Sequence, residues 1–89
     1  MTADLLYKIK PLDHCKEIAG AHISCEWSHD LNTLVYDINS RRYRIIPGTK
    51  RQRIIDQVAD TYLDFFPYAS HNVHQVKELV DSALPEAIK

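Results

Sequence analysis

The sequence predicts a small α+β protein, in which helices cover one face of an antiparallel sheet of three or four strands. Three observations lead there. Residues 22–27 and 33–46 alternate apolar and polar side chains with the period of two that a half-buried strand requires. Residues 50–66 and 73–84 repeat apolar side chains at the 3.6-residue spacing of amphipathic helices. Polar or Pro/Gly punctuation separates these runs.

Taken in order, residues 4–10 form a candidate strand, with Leu6 and Lys8 alternating against Tyr7 and Ile9, closed by Pro11. Leu12, Cys15, Ile18 and Ala19 then recur at helical spacing. Asp13 can serve as N-cap and Gly20 as the C′ stop, so a short first helix is expected. In the following strand Ile23, Cys25 and Trp27 share one face, and His22, Ser24 and Glu26 share the other. Ser28-His29-Asp30 is a polar turn.

Thr33–Ile38 and Arg42–Ile46 are the strongest strand pair, joined at Asn39-Ser40. A two-residue loop there sets Tyr36 opposite Tyr43, Leu34 opposite Ile45 and Asp37 opposite Arg42. That register keeps one apolar face, whereas a three-residue loop would set Tyr36 against Arg44. Pro47-Gly48 ends the sheet, and Thr49-x-x-Gln52 has the spacing of a capping box. The helix behind it carries Ile54, Ile55, Val58, Ala59, Tyr62, Leu63, Phe65 and Phe66 on a wide arc, with Asp56, Asp60 and Asp64 on the other side, and stops at Pro67. A last helix starts near Ser70 or Asn72, with the stripe Val73, Val76, Leu79, Val80, Ala83 and Leu84, and stops at Pro85. The expected order is a candidate strand, then α-β-β-β-α-α, in one domain over residues 1–89. Ile54, Val58, Tyr62, Phe65, Val76 and Val80 are the expected centre of the core.

Composition narrows the function classes. Nothing approaches the ~20 apolar residues of a membrane span. The opening Met1-Thr2-Ala3-Asp4 carries an early acid instead of an apolar run, so a cytoplasmic protein without a signal peptide is expected. Cys15 and Cys25 are too few for a disulfide scaffold and are expected to be reduced thiols. The net charge of −1 conceals an asymmetry. Residues 41–53 hold six cations and no acid, while the rest of the chain sums to −7.

That segment supplies the candidate site: Arg41, Arg42, Arg44, Thr49, Lys50, Arg51 and Arg53, with Tyr68 as an anchor beyond the long helix. Cations at a helix N-terminus oppose the macrodipole by ~0.3–1 kcal/mol each, so either another interaction accounts for them or the helix tolerates the cost. An anionic partner gripped by basic side chains and the helix start at Thr49 is one such interaction. A merely solvated surface, with Arg42 paired to Asp37 and Arg53 to Asp56 or Gln57, is the alternative. Arg51 falls inside the apolar arc and must snorkel or find a partner.

Other constellations are weaker. His71, His74 and Glu78 share a side of the last helix only if it starts at Ser70, and His22 and Cys25 diverge on a strand, so no metal site is expected. Cys25 lies on an apolar face where a thiol is usually inert packing. With glycine only at positions 20 and 48, no phosphate loop, nucleotide turn or Gly-x-Ser-x-Gly exists. No catalytic residue and no cofactor are expected. The sequence therefore points to a non-enzymatic regulator or inhibitor that docks on a macromolecular partner, a protein before a nucleic acid. RNA or DNA binding by the same surface is the second reading, which the overall charge weakens. A small nuclease-type toxin is the third. Nothing in the sequence supports a homo-oligomer or a membrane partner.

Overall fold

A computed structural model of the chain describes residues 12–89. The candidate strand at residues 4–10 lies outside the described residues. The described chain is a four-stranded antiparallel meander followed by two helices: β1 (His14–Ile18), β2 (Ala21–Ser28), β3 (Thr33–Ile38), β4 (Arg41–Arg44), α1 (Arg51–Phe65) and α2 (Val73–Ala83). A 3-10 turn at Ser70–Asn72 leads into α2.

The expected first helix is a strand. Ile18 pairs with Ala21 and Lys16 with Ile23, across a two-residue turn. Both turn residues have positive φ, Ala19 at 52° and Gly20 at 85°. That is the type I′ geometry that matches the right-handed twist of a hairpin. A glycine at a helix C′ and one in a I′ turn meet the same demand for positive φ, so Gly20 signals both equally. The apparent helical spacing dissolves in the strand, where Ile18 is buried and Cys15 is exposed.

The second tight hairpin follows expectation. Asn39 (φ 50°) and Ser40 (φ 69°) form the turn, Tyr36 pairs with Tyr43 and Asp37 with Arg42. The Ile45 amide donates to the Leu34 carbonyl at 2.9 Å, extending the ladder. The Tyr36 and Tyr43 rings stack at 5.2 Å, a contact worth ~0.5–1.5 kcal/mol beyond its buried area.

Alternation gives the sheet one apolar face. Ala21, Ile23 and Cys25 of β2 and Leu34, Tyr36 and Ile38 of β3 are buried there. Both helices cover that face. The Tyr36 hydroxyl is 2.9 Å from Thr61 Oγ1 on α1, and Cys25 Sγ lies 3.9 Å from the Leu79 carbonyl on α2. Ile54, Val58 and Tyr62 of α1 and Val76 and Val80 of α2 complete the core, each such burial contributing ~1.5–3 kcal/mol. Phe65, expected in its centre, is only partly buried and packs at its margin, where the ring lies 5.3 Å from the Arg41 guanidinium.

Thr49 does not cap α1. Its hydroxyl donates backward to the Ile46 carbonyl at 2.6 Å, and Lys50 is the N-cap residue, with no side-chain cap. Gln52, the expected second half of the capping box, turns instead to Asp56 at 3.0 Å. With Pro47 and Gly48 (φ 90°) forcing a turn, Thr49 finds a carbonyl of that turn before it can reach the helix. Among the described residues no helix is long and apolar enough to cross a membrane.

Candidate functional site

The fold divides the six cations among different environments. Residues 41–44 are β4, so successive side chains alternate between faces. Arg41 points to the helix side and sits over Phe65. Arg42 and Arg44 lie on the opposite, helix-free face. Arg42 grips Asp37 with two bonds, Nε to Oδ1 at 2.9 Å and Nη2 to Oδ2 at 2.7 Å. The Asp37 side chain is 6% exposed against 44% for Arg42, so the guanidinium shields the carboxylate from water. These bonds raise the Arg42 pKa above its ordinary value. Partial burial opposes the rise, and the charges of Asp37 and Glu26 add to it.

Arg51 is committed to the fold. Its Nε donates to Asp81 Oδ1 at 2.9 Å and its Nη2 to the Asp81 carbonyl at 3.0 Å. Its Nη1 reaches the carbonyls of Pro85 at 2.8 Å and Ile88 at 2.9 Å. The Arg51 amide donates to the Lys89 carbonyl at 3.1 Å. A cation that looks misplaced at the start of α1 is thus well placed at the end of α2, where unsatisfied carbonyls and the negative end of the dipole favour it.

Arg44, Lys50 and Arg53 remain. All three are exposed, and among the described residues none of them makes an ion pair. The alternative pairing of Arg53 with Asp56 is not formed; Asp56 receives Gln52 and, at 3.8 Å, Lys77. The three cations flank the 45–50 connection between β4 and α1. Tyr68 is 94% exposed, but it follows the other end of α1, ~22 Å of helix away from Lys50. The structure does not bring it together with them.

Two features of this corner were not identified in the sequence. Ile46 is 77% exposed, immediately beyond β4. In an extended segment only one of Ile45 and Ile46 can face the core, and that doublet was the available signal. Further along the same connection opens a cavity of about 230 Å³, lined among others by Trp27, Lys50, Ile54, Ala87, Ile88 and Lys89. It is assembled from five separate stretches of chain, and no local pattern announces such a site.

The helix-free face of the sheet offers little for nucleic acid. Among the described residues it carries Glu17, Glu26 and Asp37 against Arg42 and Arg44, with His22 but no Phe, Tyr or Trp. Tyr36 and Tyr43 lie on the other face. A single-strand platform needs both basic charge and exposed rings.

The thiols and histidines form no centre. Cys25 is buried, and burial pushes its pKa up to about 12, so it is a neutral thiol at physiological pH. Cys15 is exposed and free. His71 lies in the 3-10 turn, and His74 and Glu78 are exposed on α2. Among the described residues no three His, Cys, Asp or Glu side chains converge on a point that could hold a metal ion.

No protein-family model matches this chain, and comparisons with curated proteins and with solved structures give no match.

Proposed function

We propose that this chain is a small non-enzymatic binding protein, of the regulator or inhibitor type, that docks on an acidic macromolecular partner. The docking surface is the corner where β4, the 45–50 connection and the start of α1 meet. One observation carries the reading: Arg44, Lys50 and Arg53 stand exposed without ion pairs, all within seven positions of the exposed Ile46 in the chain, while the neighbouring Arg51 is consumed by the fold. An exposed apolar side chain with unpaired cations close by in the chain suits an interface with an apolar centre and a charged rim.

The partner is a protein and not a nucleic acid, because the adjoining sheet face has more acids than cations and displays no Phe, Tyr or Trp ring. A catalytic role finds no support in a corner that combines three cations with no acid–base pair. Charge reversal tests the reading. Arg44→Glu with Arg53→Glu should abolish capture of the natural partner and leave the melting temperature nearly unchanged. Unimpaired capture would sink the proposal. Salt separates the partner classes, since nucleic acid gives a log–log slope near about −0.7 to −0.9 per phosphate contact and a protein interface responds less.

A further inference from the structure

The cavity beside Lys50 deepens this proposal and rests on it. Its lining joins apolar side chains to the polar Asn32, Thr33 and Thr49: Ile54 is buried in the core, and Trp27 and Ile88 pack against that core partly buried. Lys50 and Lys89 line it, and no Asp or Glu side chain does. The Ile46 carbonyl accepts both the amide of Thr49, a lining residue, at 3.3 Å and its hydroxyl at 2.6 Å, which ties the Ile46 backbone to the lining. At about 230 Å³ the space falls below the ~300–1,000 Å³ typical of sites for drug-sized ligands. It suits one large side chain.

We infer that the cavity receives a single aromatic or large aliphatic side chain of the partner, flanked in the partner's sequence by carboxylates. Trp27, Ile54 and Ile88 select the anchor. Lys50 and Lys89, with Arg44 and Arg53 nearby in the chain, select its neighbours by charge. Interfaces of this design concentrate binding energy in one buried anchor, while rim charges set orientation and partner choice. A second copy of this chain is a poorer occupant, because its own corner would bring cations against cations.

Trp27 is the only tryptophan in the chain and lines the cavity, so its fluorescence reports occupancy directly. The probe is the peptide acetyl-Asp-Glu-Phe-Asp-Glu-amide. The same peptide with Ala for Phe, and one with Lys at all four acidic positions, serve as comparisons. The acidic Phe peptide should shift Trp27 emission saturably, and the other two should not. Ala87→Phe, at an exposed turn position lining the cavity, should fill the space and weaken binding at least about tenfold with the fold intact. Lys50→Glu should do the same through charge, which keeps the test decisive if Ala87→Phe proves unstable. Equal shifts from the Phe and Ala peptides, or no shift at millimolar Phe peptide, would overturn the anchor. If the natural partner is lost on Arg44→Glu with Arg53→Glu while Trp27 stays silent to every peptide, basic docking stands and the anchor falls. If that charge reversal leaves capture intact, the docking reading itself falls.

Discussion

Arg51 and Arg44 are the same residue type in the same basic run, yet the chain uses them in opposite ways. Arg51 begins α1 and makes four side-chain hydrogen bonds to the end of α2 and the tail behind it. Arg44 ends β4 and is exposed, without an ion pair among the described residues. Local charge density is therefore no measure of availability. What decides is whether the tertiary fold delivers carbonyls and a carboxylate to the guanidinium. The two cysteines repeat the lesson, because Cys25 is sealed beneath α2 and Cys15 on β1 faces water.

The largest effect should come from breaking the buried core on which both arginines' settings depend. Val58 is fully buried between α1 and the sheet. Val58→Asp places an unpaired carboxylate there, at a cost of several kcal/mol against a stability of ~5–15 kcal/mol. The variant should give no cooperative unfolding transition by circular dichroism. A folded, cooperative protein would show that the core is misplaced.

The Arg51 clamp comes next. Arg51→Ala should lower stability by ~2–4 kcal/mol, since hydrogen bonds from a charged group contribute ~1.5–3 kcal/mol each and the exposed part of the array recovers water. Arg51→Lys should rescue little, because an ammonium cannot span the carbonyls of Asp81, Pro85 and Ile88 as a planar fork does. Urea midpoints measure both. An Arg51→Ala protein as stable as the parent would erase the contrast with Arg44.

The cysteine pair sharpens the comparison through pH. Burial raises the Cys25 pKa from 9.0 to about 12. Below pH 9.0 the thiol is neutral in both folded and unfolded chains and its contribution is intact. As pH climbs from there toward about 12, the unfolded chain ionises and the folded one resists, so stability falls across that window. Cys25→Ala should flatten this alkaline loss. In the native protein a thiol reagent at mildly alkaline pH should label Cys15 alone, and denaturant should expose the second thiol. Rapid native labelling of both would contradict the sealed position of Cys25.

The smallest effect on stability, and the largest on binding, belongs to the exposed cations. Arg44, Lys50 and Arg53→Ala together should change the unfolding free energy by less than ~0.5 kcal/mol per site. Relief of helix-dipole repulsion at Lys50 and Arg53 should make part of that change favourable. Partner affinity should drop at least about tenfold in a titration at low salt. Substantial destabilisation would place these residues with Arg51 on the structural side.

Sequence alone determined whatever depends on neighbours along the chain. Alternation and the Asn39-Ser40 turn specified β3 and β4 down to the Tyr36–Tyr43 register, because a one-residue slip would have exposed the whole apolar face. Helical periodicity and the flanking prolines specified α1 and α2. The tertiary structure alone decided three things. It made residues 14–18 a strand, since Gly20 satisfies a helix stop and a I′ turn equally, and pairing with β2 favours the latter. It withdrew Arg51 from the basic run, since the Asp81 that receives it lies thirty positions away. It also placed Trp27, Ile54 and Ile88 around one cavity beside Lys50. The last two join residues far apart in the chain, where local propensity carries no information and packing supplies all of it; the first is a local hairpin whose turn residue fits two structures equally.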